Sequence, residues 1–236
     1  MTNSVIELAT PQSKVVETTN INNTNKNSIW VTKKKVTFIA ITGGFSGGGE
    51  DTTENVAENS NTEKIYQESK KISEKNLNGF NGIYIRPGFT SDSTIETALG
   101  FIDRTYTKND KLIIYGYSNG GDFAVELADA LKKREITVAG LITVDASDRL
   151  KILNNITVNR VIPSNTLVNY NYYQNNPDDC GMISCSHGDE NTAEDPLKTF
   201  VFNTKITDAN VTHRDMEAFA MSDILNRITI LVEKIQ

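Results

Sequence analysis

Between residues 36 and 41 the chain reads Val-Thr-Phe-Ile-Ala-Ile, a short apolar run with no breaker inside it, and comparable runs recur downstream. This pattern predicts strands at 36–41, 82–85, 111–115, 138–144, 166–173 and 199–206. Between them apolar residues fall at helical spacing: Phe123, Leu127, Ala130 and Leu131 mark a helix over 120–133. Further helices are expected at 63–75, 94–106 and about 214–235. Strand and helix in alternation imply an α/β fold, a mostly parallel sheet of about six strands flanked by helices. Residues 1–30, rich in Thr, Asn and Ser, show no period and read as a flexible N-terminal tail, which leaves 31–236 as the folded domain. A polar stretch at 174–196 separates the last two strands. Its length suggests a cover or binding loop at the mouth of a site.

Charge narrows the partners. With 24 basic against 30 acidic residues the net charge is -6, and the largest basic cluster is Lys33-Lys34-Lys35, a solvated run before the first strand. Nucleic acid is therefore not an expected partner. No apolar run is long enough to span a bilayer, so a soluble chain with at most peripheral membrane contact is expected. The N-terminus MTNSVIELATPQ lacks a basic region followed by an apolar core, and no Sec signal is expected from it.

The chemistry concentrates where the strand at 111–115 meets the helix at 120–133. Gly116-Tyr117-Ser118-Asn119-Gly120 places a serine between two glycines, the spacing of a sharp strand-to-helix turn that lifts a hydroxyl clear of a sheet. A nucleophilic serine needs a base, and the chain has two histidines. His213 follows the last predicted strand and precedes the last helix, on the rim where Ser118 is expected; His187 lies in a loop dense with carboxylates and reads as solvated. For the acid, Asp145 ends the apolar run Gly140-Leu141-Ile142-Thr143-Val144 beside the serine strand. Asp148, Asp208, Asp178 and Asp179 remain alternatives. An oxyanion would face the backbone N–H of Asn119 and a second donor from the loop after the first strand, Phe45 or Gly44. That Gly-rich loop lacks a P-loop ending and is followed by Glu50 and Asp51, which would repel a phosphate.

These residues resemble the α/β-hydrolase superfamily over about 35–235, in particular its lipase- and esterase-like branch. Gly116-Tyr117-Ser118-Asn119-Gly120-Gly121 is similar to the family's G-H-S-x-G-G, Leu141 to Asp145 to its strand ending in the catalytic aspartate, and Thr42-Gly43-Gly44-Phe45 to its oxyanion loop. Tyr117 departs from the commoner histidine, and Ala146 from the proline that often follows the aspartate. The resemblance implies a Ser118–His213–Asp145 triad cleaving a carboxylic ester of a lipid or small molecule through an acyl-enzyme, with no cofactor and no metal. Thioesterase, acyltransferase or peptidase chemistry, or a non-catalytic binding domain on a hydrolase fold, are the alternatives.

Cys180 and Cys185 either close a small disulfide ring or stay as free thiols. The chain is accordingly expected in the cytoplasm or, if the ring forms, outside it after export by dedicated machinery. Export would fit a bacterial lipase-type effector with an immunity or export partner, or a domain cut from a longer polymorphic protein.

Overall fold

The computed structural model describes residues 34–43, 49–51, 60–76, 78–87, 91–147, 158–176 and 188–234. The tail at 1–30 and both cysteines lie outside them. In chain order the elements are β1 (Lys35–Ile41), β2 (Gly49–Asp51), α1 (Asn61–Lys75), β3 (Gly79–Arg86), α2 (Ser91–Thr105), β4 (Lys111–Tyr117), α3 (Asn119–Lys132), β5 (Gly140–Val144), β6 (Val161–Ile162), β7 (Val168–Tyr173), β8 (Thr192–Ala193) and β9 (Phe200–Lys205). A 3-10 turn, His213–Asp215, then leads into α4 (Met216–Lys234).

Seven strands form one sheet in the order β2-β3-β1-β4-β5-β7-β9. The six anticipated strands are its parallel members, in registers such as Ile39↔Ile114 and Ile142↔Tyr170. The addition is β2, a short strand antiparallel to β3 at the edge. Its residues Gly49-Glu50-Asp51 carry no apolar alternation that a pattern reading could find.

Alternation within each strand sends side chains to two layers. On one face Phe38, Ala40, Tyr115 and Ile142 pack under α1 and α4, meeting Ile65, Ile224 and Ile228. On the other, Ile39, Ile41, Ile114 and Leu141 pack against α2 and α3, meeting Ile102, Phe123 and Leu127. Both faces are covered, which is why the central strands read as continuous apolar runs. Each fully buried aliphatic side chain contributes roughly 1.5–3 kcal/mol relative to exposure.

Element ends shift from the expected positions by a few residues, for identifiable reasons. Helix α1 begins before residue 63 because the Ser60 hydroxyl accepts from the Glu63 N–H at 3.0 Å, a cap that apolar spacing does not register. The closing helix opens instead as the 3-10 turn, where Thr212 and Asp215 form a reciprocal capping box. Residues 188–194 of the expected loop are ordered against the sheet: β8 pairs with β6, and Asn191 bonds to Thr143, Asn169 and Asn203.

Candidate active site

Strand β4 delivers Ser118 into a backbone conformation of φ 55° and ψ -124°, which a side-chain-bearing residue rarely adopts. Neighbouring glycines make that turn fit. A Cβ on Gly116 would stand 2.1 Å from the carbonyl oxygen of Gly120, and one on Gly120 would stand 2.2 Å from that of Ile41. The Ser118 N–H donates to the Val144 carbonyl at 3.0 Å, tying the turn to β5. Although Ser118 occupies the cap position of α3, its hydroxyl makes no capping bond.

That hydroxyl instead lies 2.8 Å from His213 Nε2, and His213 Nδ1 lies 2.7 Å from Asp145 Oδ2. Asp145 is wholly buried. Three N–H groups besides the imidazole replace its water: the Gln174 backbone at 3.2 Å and Gly188 backbone at 3.0 Å donate to Oδ1, and Gln174 Nε2 donates to Oδ2 at 3.0 Å. A carboxylate only accepts, so Nδ1 carries the ring proton and the lone pair of Nε2 faces Ser118. The arrangement can take a proton from the serine and hold the resulting imidazolium against a buried negative charge.

Asn119 opens α3 directly after Ser118, so its N–H belongs to the helix's first turn, where partial positive charge gathers. Its side chain is buried, with Nδ2 unpaired among the described residues. Gly44 and Phe45 lie outside the described residues, as do Asp148, Asp178, Asp179 and His187. Asp208 is described elsewhere: its carboxylate accepts from Asn210, and it does not meet His213.

Four neighbours had no assigned part in the sequence reading. Gln174 stands directly after β7, the same strand-end position that singled out Asp145. Gly188 reaches the carboxylate through the polar stretch 174–196, whose described ends grip the aspartate. Ser147 places its hydroxyl 3.4 Å from that of Ser118 and donates its N–H to the Ser118 carbonyl at 3.1 Å. Tyr117 donates its hydroxyl to the His213 carbonyl at 2.8 Å. By contrast, the tyrosines of β7 serve packing: Tyr170 stacks on Phe202, and Tyr172 and Tyr173 donate to Asp223 and Glu190.

Below the histidine turn lies Glu217, buried in the first turn of α4 and accepting from the hydroxyls of Thr62 and Tyr115. Burial pushes its carboxyl above the ordinary value, with the two hydroxyl donors and His213 pulling the other way. Arg160 lies beneath the Asp145 turn and donates to the Ala146 carbonyl at 3.2 Å. Burial lowers its guanidinium from the usual range, while Asp189, Asp122 and Asp145 oppose that change. Among the described residues no cluster of His, Cys, Asp and Glu could hold a metal ion, and no helix is long and apolar enough to cross a membrane.

No protein-family model matches the chain, and no curated protein sequence does. Among solved structures, a protein of Agrobacterium vitis S4 provisionally assigned as a hydrolase superposes with a TM-score of 0.52 at 16% identity, over 84% of this chain and 88% of that one. The chain has the α/β-hydrolase fold. Similar in outline are ClbQ from the colibactin NRPS/PKS pathway, with a TM-score of 0.48 at 11% identity over 85% of this chain and 98% of that one, and Est1E from Butyrivibrio proteoclasticus, with 0.46 at 11% over 86% and 88%. At these identities the likeness is one of fold, and the hydrolase fold by itself fixes no substrate.

Proposed function

We propose that this hydrolase-fold chain is a serine hydrolase that cleaves carboxylic esters through an acyl-enzyme. The observation that carries the reading is the unbroken hydrogen-bonded chain from Ser118 Oγ through His213 to the buried Asp145, at 2.8 and 2.7 Å. Ser118 attacks the ester carbonyl while His213 Nε2 takes its proton, and Asp145 stabilises the imidazolium. Charge that develops on the carbonyl oxygen faces the first turn of α3, where the Asn119 N–H is the first donor; Gly44 or Phe45 would supply the second. His213 then returns the proton to the leaving alcohol. Water, deprotonated by the same histidine, attacks the acyl-enzyme, and His213 passes that proton to Ser118 Oγ as it leaves and the acid is released.

The test is labelling with a fluorophosphonate probe beside a panel of nitrophenyl esters of graded chain length and phospholipids. An activated serine reacts stoichiometrically, and Ser118→Ala abolishes both labelling and turnover with unchanged folding. Wild-type protein that neither labels nor hydrolyses any member of the panel would overturn the proposal. The panel also separates a lipid substrate from a small soluble ester.

A further inference from the structure

Tyr117 has no part in the reaction as written, yet it touches three pieces of the site. It ends β4 immediately before Ser118. Its hydroxyl donates to the backbone carbonyl of His213 at 2.8 Å, and its ring stacks on the imidazole with centroids 5.2 Å apart and planes 24° from parallel. Room for the ring comes from Gly43, at the start of the loop after β1. A Cβ there would come within 3.0 Å of Tyr117 Cδ1, 3.1 Å of its Cε1 and 2.7 Å of the Ser118 Cβ.

The imidazole needs such a contact. Bonds to Ser118 and Asp145 hold the ring at Nε2 and Nδ1, but hydrogen bonds tolerate a range of angles, so they leave the ring some freedom to tilt. A flat face packed against it removes this freedom. The base also arrives on a short 3-10 turn separated by 95 residues from the serine, and the Tyr117 hydroxyl ties that backbone to the nucleophile strand itself.

We propose that Tyr117 is the positioning residue that sets the plane of the His213 imidazole against Ser118 during acyl transfer. This rests on the serine-hydrolase reading above. Tyr117→Phe keeps the stacked face and removes the hydrogen bond; Tyr117→Leu removes both. For the Phe variant kcat falls about 5-fold, the worth of one hydrogen bond, and for the Leu variant about 100-fold, as a misplaced catalytic group costs. KM stays within about 2-fold in both, since the effect concerns proton transfer and not substrate binding.

A second readout is independent of turnover: the low-field proton resonance of His213 Nδ1–H shared with Asp145. It is sharp in the wild type and the Phe variant and broadened or absent in the Leu variant, at unchanged melting temperature. A Leu variant with wild-type kcat and a sharp resonance overturns the proposal, and so does a loss confined to KM. If the Leu variant does not fold, the Phe variant decides, and unchanged kcat there overturns it. Should the wild type prove inert toward the fluorophosphonate and all esters, the serine-hydrolase reading fails on its own. The proton resonance in the two variants then still decides whether Tyr117 orders the imidazole.

Discussion

The two flanks of the serine strand are built from different chemistry. On the β1 and β3 side, Ile39, Ile83 and Ile85 meet the helices through aliphatic contact, and Ile41 presses its carbonyl against Gly120. On the β5, β7 and β9 side the same sheet buries amides and a hydroxyl. Asn169 Nδ2 donates to the Leu141 carbonyl at 3.0 Å, Asn171 Nδ2 to Asn203 Oδ1 and the Asp189 carbonyl at 2.8 Å each, and Asn191 Nδ2 to Asn169 Oδ1 at 3.0 Å and Thr143 Oγ1 at 3.1 Å. Aliphatic packing needs matching volume and tolerates small shifts in direction, whereas a buried amide network needs every partner in place. The serine turn leans on the first kind of structure through Ile41, besides its bond to the Val144 carbonyl. The aspartate depends on the second, because the network holds segment 188–194, whose Gly188 N–H reaches Asp145.

Substitutions on the two sides therefore fail in different ways. Gly120→Ala has the largest expected effect: its Cβ meets main chain 2.2 Å away, which cannot move without displacing β1. We expect a loss of more than about 4 kcal/mol or no folded protein, read by urea unfolding. A variant that unfolds at the wild-type midpoint would show that the turn is not held by close backbone approach.

Ile39→Ala, wholly buried in β1, comes next, with about 2–5 kcal/mol lost to transfer and cavity. The surviving folded fraction keeps near-normal kcat, since volume and not direction is removed. Asn191→Ala on the polar flank costs less stability, about 1–3 kcal/mol for stranded partners, but lowers kcat about 10-fold through the loosened Gly188 contact to Asp145. Steady-state kinetics beside unfolding curves compare the two. Equal kcat in both variants, or the larger kcat loss in the Ile39 variant, would erase the distinction between the flanks.

The smallest effect concerns Glu217, a polar exception on the apolar side. Its carboxyl lies above the ordinary value of 4.5 because it is buried. The folded chain thus binds this proton more tightly than the unfolded chain. The stabilisation is complete below the unfolded value and is lost as pH rises through the folded one. Glu217→Gln cannot titrate, so the wild type weakens relative to the variant as pH rises from acid toward neutrality. Urea midpoints of the two proteins measured across that range check it; a difference independent of pH, or one that changes in the opposite sense, would contradict the assignment.

The contrast between flanks also explains what was legible in the chain. Apolar runs on a covered parallel sheet are unmistakable in one dimension, so the six parallel strands of the main sheet could be read from residues such as Val36 to Ile41 and Leu112 to Tyr115, while the short β2, β6 and β8 could not. The glycine spacing around Ser118 is likewise local, since the steric demand of the turn acts within a few residues. Pairing across distance was a different matter. Nothing adjacent to Asp145 announces Gln174 or Gly188, which lie 29 and 43 residues away and reach it only because β7 and segment 188–194 fold beside β5. The same holds for Tyr117. Sequence marked it only as a departure from a family pattern, and its stacking on a histidine 96 residues on required the tertiary structure. Hydrophobic periodicity and turn sterics are properties of neighbouring residues and survive in sequence, whereas hydrogen-bond partners of a buried charge are chosen by where distant segments come to rest.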